Sequence, residues 1–181
     1  MRKVTMTFAL TALCVAAVAS ESNAAGKLTD SEIAKIVITA NTAEIDAAKT
    51  ADQKSTNPEV KSFAEDMIKV HEESNKEAGE LAKKSHMAPK ESGISRDLKS
   101  DAKQKMTALE KSNGQDFDRA YVKGQVDMHK RLLGSIDNDL LLNAKSKDLK
   151  SMLEKTRPVV AEHLAHAEHL LTSLSSDTTT K

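Results

Sequence analysis

Asn57-Pro58-Glu59-Val60-Lys61-Ser62-Phe63-Ala64-Glu65-Asp66-Met67-Ile68-Lys69-Val70-His71 opens with a helix start signal and continues with helical periodicity. Asn57 can cap the free N–H groups, Pro58 sits at the first helical position where no donor is lost, and Glu59 favours the positive helix end. Val60, Phe63, Ala64 and Met67 then recur at intervals of three and four, which puts them on one face. His71 follows four residues after Met67 and seven before Ala78, so the stripe that should bury apolar groups also carries an imidazole. This stretch makes the chain helical and gives its core a polar member.

The rest of the sequence repeats the pattern. Upstream, Thr29 with Glu32 forms a capping box, and the predicted helix runs to about Gln53 with a stripe of Ile33, Ile36, Val37, Ala40, Ala47 and Ala51. Downstream, Ser85 to Ser95, with Pro89 and Gly93, reads as a loop. A shorter helix over about Arg96 to Lys111 buries Leu98, Ala102, Met106 and Leu109, and Ser112-Asn113-Gly114 ends it. A long helix from about Asp116 to Asn143 carries Phe117, Tyr121, Val122, Val126, Leu132 and Ile136. The last runs from about Ser146 to Leu174, with a kink expected at Pro158, which lacks an N–H. Ser175 to Lys181 is a polar, frayed tail. No period-2 stretch competes with this reading.

Four long helices and one short one predict an all-α, ferritin-like four-helix bundle with an extra short helix, preceded by a signal peptide. The short helix is long enough to carry the chain back along the bundle, which would set the second and fourth helices parallel. An up-down-up-down bundle capped by the short helix is the alternative.

The first 24 residues read as a leader. Arg2 and Lys3 precede the apolar run Val4 to Ala19, and Ser22-Asn23-Ala24 offers small residues for a cut before Ala25, with a cut after Ala19 as the near alternative. The run is shorter than the roughly 20 residues of a membrane span. Leu13 before Cys14 argues against lipid anchoring. Residues 25–174 are then the bundle domain and 175–181 the tail, with the protein periplasmic or secreted. Cleavage removes Cys14, the only cysteine, so any chemistry falls to carboxylates and imidazoles. It also takes two basic residues and one acidic residue from a balanced 27 and 27, leaving a formal charge near −1. That balance offers no counterion release to a phosphate backbone, and Phe63, Phe117 and Tyr121 are too few for base stacking, so nucleic acid is excluded as a partner. No second apolar run approaches spanning length.

Each long helix places one ionisable side chain on its stripe. Glu44 lies seven residues after Val37, His71 four after Met67, His129 three after Val126, and His163 three after Val160. At about 1.5 Å per residue they lie roughly 19–24 Å into their helices, so the ferritin-like chain direction brings all four to mid-height within about 10 Å. Three imidazoles and a carboxylate suit iron, manganese, zinc or copper. The alternative is a structural polar core in which histidines hydrogen-bond to hydroxyls, Glu44 or water, or a pH-sensitive packing role. Imidazole nitrogens more than about 6 Å apart could not share one ion. The di-iron Glu-x-x-His signature is missing: Ile68, Val126 and Val160 stand three residues before these histidines. His166 and His169, with Glu162, fall on the solvated side of the last helix, and His86 lies in a loop. No nucleophile elbow, phosphate-binding glycine loop or His-Glu-x-x-His motif is present in the sequence.

Three ordered blocks carry a family resemblance: Asn57-Pro58-Glu59-Val60-Lys61-Ser62-Phe63-Ala64 with Met67 and His71, Asp116-Phe117-Asp118-Arg119-Ala120-Tyr121-Val122 with His129, and Pro158 followed by His163-Leu164. Together they resemble an exported bacterial family of unknown function with a ferritin-like helical fold, often labelled "predicted outer membrane protein". The resemblance spans roughly Asp30 to Leu174 and implies that Glu44, His71, His129 and His163 occupy the family's recurring polar positions. Val70 stands where the family often has Asp, which removes an acid–base partner for His71. The label fits poorly with a sequence lacking the alternating ten-residue strands of a barrel. The function expected is a non-enzymatic periplasmic binding role in envelope maintenance or stress, with a metal ion or an envelope component as partner. The alternative is a metal-binding or redox-active bundle using the four polar residues.

Overall fold

A computed structural model describes residues 27–176. The leader, its cleavage sites and the tail beyond Ser176 lie outside the described residues. Among the described residues the chain is helical throughout, with no strand: α1 (Asp30–Lys54), α2 (Pro58–Lys84), α3 (Gly93–Lys111), α4 (Gly114–Ser135), a π-helical turn (Ile136–Leu140), α5 (Leu141–Asn143) and α6 (Lys147–Ser176).

The caps follow the sequence signals. Thr29 and Glu32 close a capping box at α1, and Asn57 Oδ1 accepts from the N–H groups of Glu59 and Val60 at α2. α3 starts at Gly93, inside the segment expected to be loop, because Ser92 caps it and exchanges side-chain hydrogen bonds with Ser95. The helix expected to run unbroken to Asn143 instead widens into the π turn after Ser135, where the Leu141 N–H donates to the Ile136 carbonyl. α6 passes through Pro158 as one helix. Pro158 and Glu154 are both exposed, so water can satisfy the carbonyl that loses its helical donor. α6 also continues two residues past Leu174, into the segment expected to fray.

Contacts at the ends fix the chain directions. Asp30, at the start of α1, accepts from the Lys145 and Ser146 N–H groups just before α6, so α1 and α6 start together. Lys54, in the last turn of α1, donates to the carbonyls of Glu110 and Ser112 at the end of α3. Lys84 near the end of α2 pairs with Asp148 near the start of α6. Hence α1 and α6 run one way and α2 and α4 the other. α3 returns the chain along the outside, beside α1.

The core divides into two apolar groups along the bundle. One holds Phe63, Met67, Phe117, Tyr121 and Val122, the other Ile33, Ile36, Leu140, Leu149 and Leu153. His71 (4% exposed), His129 (0%) and Glu44 (2%) are buried, although apolar residues supply nearly all of the rest of the interior.

Candidate metal centre

His71 from α2, His129 from α4 and His163 from α6 converge in the core. One ring nitrogen from each lies within 4.8 Å of the other two. The ring centroids are 6.0 Å apart for His71–His129 and 5.5 Å apart for the two pairs involving His163. Helical periodicity explains the convergence. Each histidine sits three or four residues from buried apolar neighbours, Met67, Val126 and Val160, and is held to the same inward face.

Neighbouring groups orient two of the rings. His71 Nδ1 lies 3.0 Å from Asn41 Oδ1, and His129 Nδ1 lies 2.9 Å from the Gln125 carbonyl oxygen. Both partners are read as acceptors, so each Nδ1 carries the proton and each Nε2 is left with a free lone pair. Those two Nε2 atoms and Nδ1 of His163 are buried without a hydrogen-bond partner. Fixing a histidine through its second nitrogen while the first points at its neighbours is how proteins hold metal ligands.

Electrostatics favours neutral rings. Burial lowers His71 to about 3, helped by His129 and His163. His129 falls to about 4, chiefly by burial, against the opposing pull of its Gln125 hydrogen bond. Burial also lowers His163, while Glu162 and Asp66 act to raise it. His163 is the half-buried member of the set, and Glu162 and Asp66 are exposed, so the approach from solvent carries two carboxylates.

Glu44 does not belong to this group. Among the described residues, the histidine trio is the set close enough for one ion, and Glu44 is outside it. Its carboxylate instead takes a hydrogen bond from the Gln125 side chain and faces Tyr121. Burial raises Glu44 to about 7 despite that hydrogen bond and the charges of Lys105 and Arg131. All four predicted residues lie on the stripes, but α1 presents Glu44 to another part of α4. His166 and His169 are exposed, with the His166 ring edge-on to Phe63 at 5.0 Å.

With this geometry in place, comparison with known proteins gives one match. The chain matches the family described as Domain of unknown function (DUF4142) over residues 15–170. It belongs to that family. The DUF4142 match spans all three histidines and both of their supporting residues. No curated protein and no solved structure matches the chain.

Asn41 and Gln125 escaped the sequence reading, although Asn41 lies four residues after Val37 and Gln125 four before His129. Both are buried at 3% exposure. Asking the stripe question of amides as well as ionisable groups would have found them.

Proposed function

We propose that this DUF4142 protein is an exported, non-enzymatic helical bundle that binds one transition-metal ion through His71, His129 and His163, serving the cell envelope by holding that ion. The observation that carries this is the convergence of three buried imidazole nitrogens with no hydrogen-bond partner. Three neutral imidazoles without a carboxylate suit copper or zinc better than manganese. Ligand nitrogens about 2.0–2.1 Å from one ion lie at most about 4.2 Å apart, so the rings close by less than about 1 Å on binding. The half-buried His163 has the most room to make that adjustment. The leader sequence supports a periplasmic or secreted location, and the parallel course of α2 and α4 supports a ferritin-like arrangement.

Metal analysis of protein prepared without a histidine tag tests the reading. Copper or zinc should bind at one equivalent per chain and be lost in His71→Ala. No stoichiometric metal, or binding unchanged by that substitution, would overturn the proposal and leave the imidazoles as packing groups. Catalytic turnover by the loaded protein would overturn its non-enzymatic part.

A further inference from the structure

α3 covers the bundle without filling the space beneath it. Its fully buried side chains are Ser95 near one end and Leu109 near the other. Between them it offers small Ala102 and half-buried Met106 to a cavity of about 1090 Å³ shared with α1 and α4. Ile38, Ala43 and Ala47 supply the α1 wall and Met128 part of the α4 wall. A volume of this size holds a drug-sized molecule.

The cavity is also lined by Glu44, Tyr121 and Gln125, which are all buried. Each brings an oxygen with no hydrogen-bond partner: Glu44 Oε2, the Tyr121 hydroxyl and Gln125 Oε1. Tyr121 and Gln125 are four apart on α4 and share a face. Glu44 joins them through its hydrogen bond with the Gln125 side chain. Leaving one such oxygen unpaired is costly, and three beside one cavity point to a missing partner.

We propose that this cavity is a second binding site, for a small molecule with an apolar body and a primary-amine head, the amine resting on Glu44, Tyr121 and Gln125. The three oxygens can all accept, and one is a carboxylate. A primary ammonium matches them with three donors and a positive charge, whereas a hydroxyl head offers one donor and a carboxylate head none. The apolar side chains of α1, α3 and α4 would enclose the body. Exposed lysines at the mouth, including Lys99, Lys103 and Lys105 on α3, would meet only the far end of the ligand. The site uses none of the three histidines, so it stands or falls independently of the metal proposal.

Calorimetric titration of the leader-free chain at pH 8 with octylamine, octanol and octanoate provides the test. Octylamine should bind at least tenfold tighter than the other two. Glu44→Gln should abolish that preference while leaving octanol binding unchanged, and Tyr121→Phe should weaken octylamine about threefold. Ala102→Trp, which fills the cavity, should remove binding of all three. Octanoate binding as tightly as octylamine, an amine preference that survives Glu44→Gln, or binding indifferent to Ala102→Trp would each overturn the proposal.

Discussion

The polar centre formed by α2, α4 and α6 and the one formed by α1 and α4 beneath α3 solve the same problem in different ways. Both place ionisable groups in an apolar interior, where charge is expensive. The first uses imidazoles, which can shed their charge near neutrality. It packs three rings together and ties two of them through Nδ1 to Asn41 and Gln125. The second uses a carboxylate, gives it one amide donor, and leaves cavity space beside it. Packing closes one centre and leaves the other open, so a small ion suits the first and an organic molecule the second.

The largest expected effect would break this division. His71→Ala should weaken copper or zinc binding at least 100-fold, whereas Glu44→Gln should change it less than threefold, measured by competition with a chromophoric chelator. Equal losses in both variants would merge the two centres into one. Next comes the support of the first centre. Asn41→Ala keeps all three imidazoles but frees His71 to rotate, and should cost about 10–100-fold in metal affinity, the range typical of second-shell partners.

The pH dependence of the metal-free protein sharpens the contrast, because the two centres act in opposite directions. His71 and His129 are lowered from 6.5 to about 3 and about 4, so the unfolded chain binds their protons first. Their contribution to stability is complete above about pH 6.5 and is lost as pH falls toward 4. Glu44 is raised from 4.5 to about 7, so its contribution is present below pH 4.5 and lost as pH rises through 7. Thermal unfolding should therefore show that Glu44→Gln raises Tm at pH 8, by about 2–4 °C for each kcal/mol recovered, and leaves it unchanged near pH 4. A gain of equal size at both pH values would refute the assignment to ionisation. The smallest effect belongs to Tyr121→Phe. Its hydroxyl has no partner, so removing it should shift stability by less than about 1 kcal/mol in denaturant titration.

The helices were legible because their signals are local. Thr29 with Glu32 and Asn57 with Pro58 announce two starts, and the spacing of Val60, Phe63, Ala64 and Met67 shows which face is buried. Gly93 misled because glycine reads as loop, while Ser92 with Ser95 provides the cap that starts α3 there. The site was legible in height and not in partner. Periodicity gives the inward direction on each helix, and rise per residue gives the level along it. Which side chain on a neighbouring helix is met depends on how each helix is rotated against the others, and no single stripe contains that. His71, His129 and His163 came together as their levels suggested, whereas Glu44 at a similar level met Gln125 and Tyr121.

The π turn at Ile136–Leu140 has a consequence for how this chain tolerates change in length. Such a turn holds one residue more than an α-helical path, and one residue corresponds to about 100° of rotation. Leu140 and Ala144 are buried beyond it, and the Lys145 and Ser146 N–H groups find Asp30, with that extra step already taken. Excising a single residue such as Asn138 would make the helix regular and put everything after it out of phase. The exposed surface of Asn138 would suggest a harmless loss, yet the orientation with which α6 delivers His163 depends on that residue being counted.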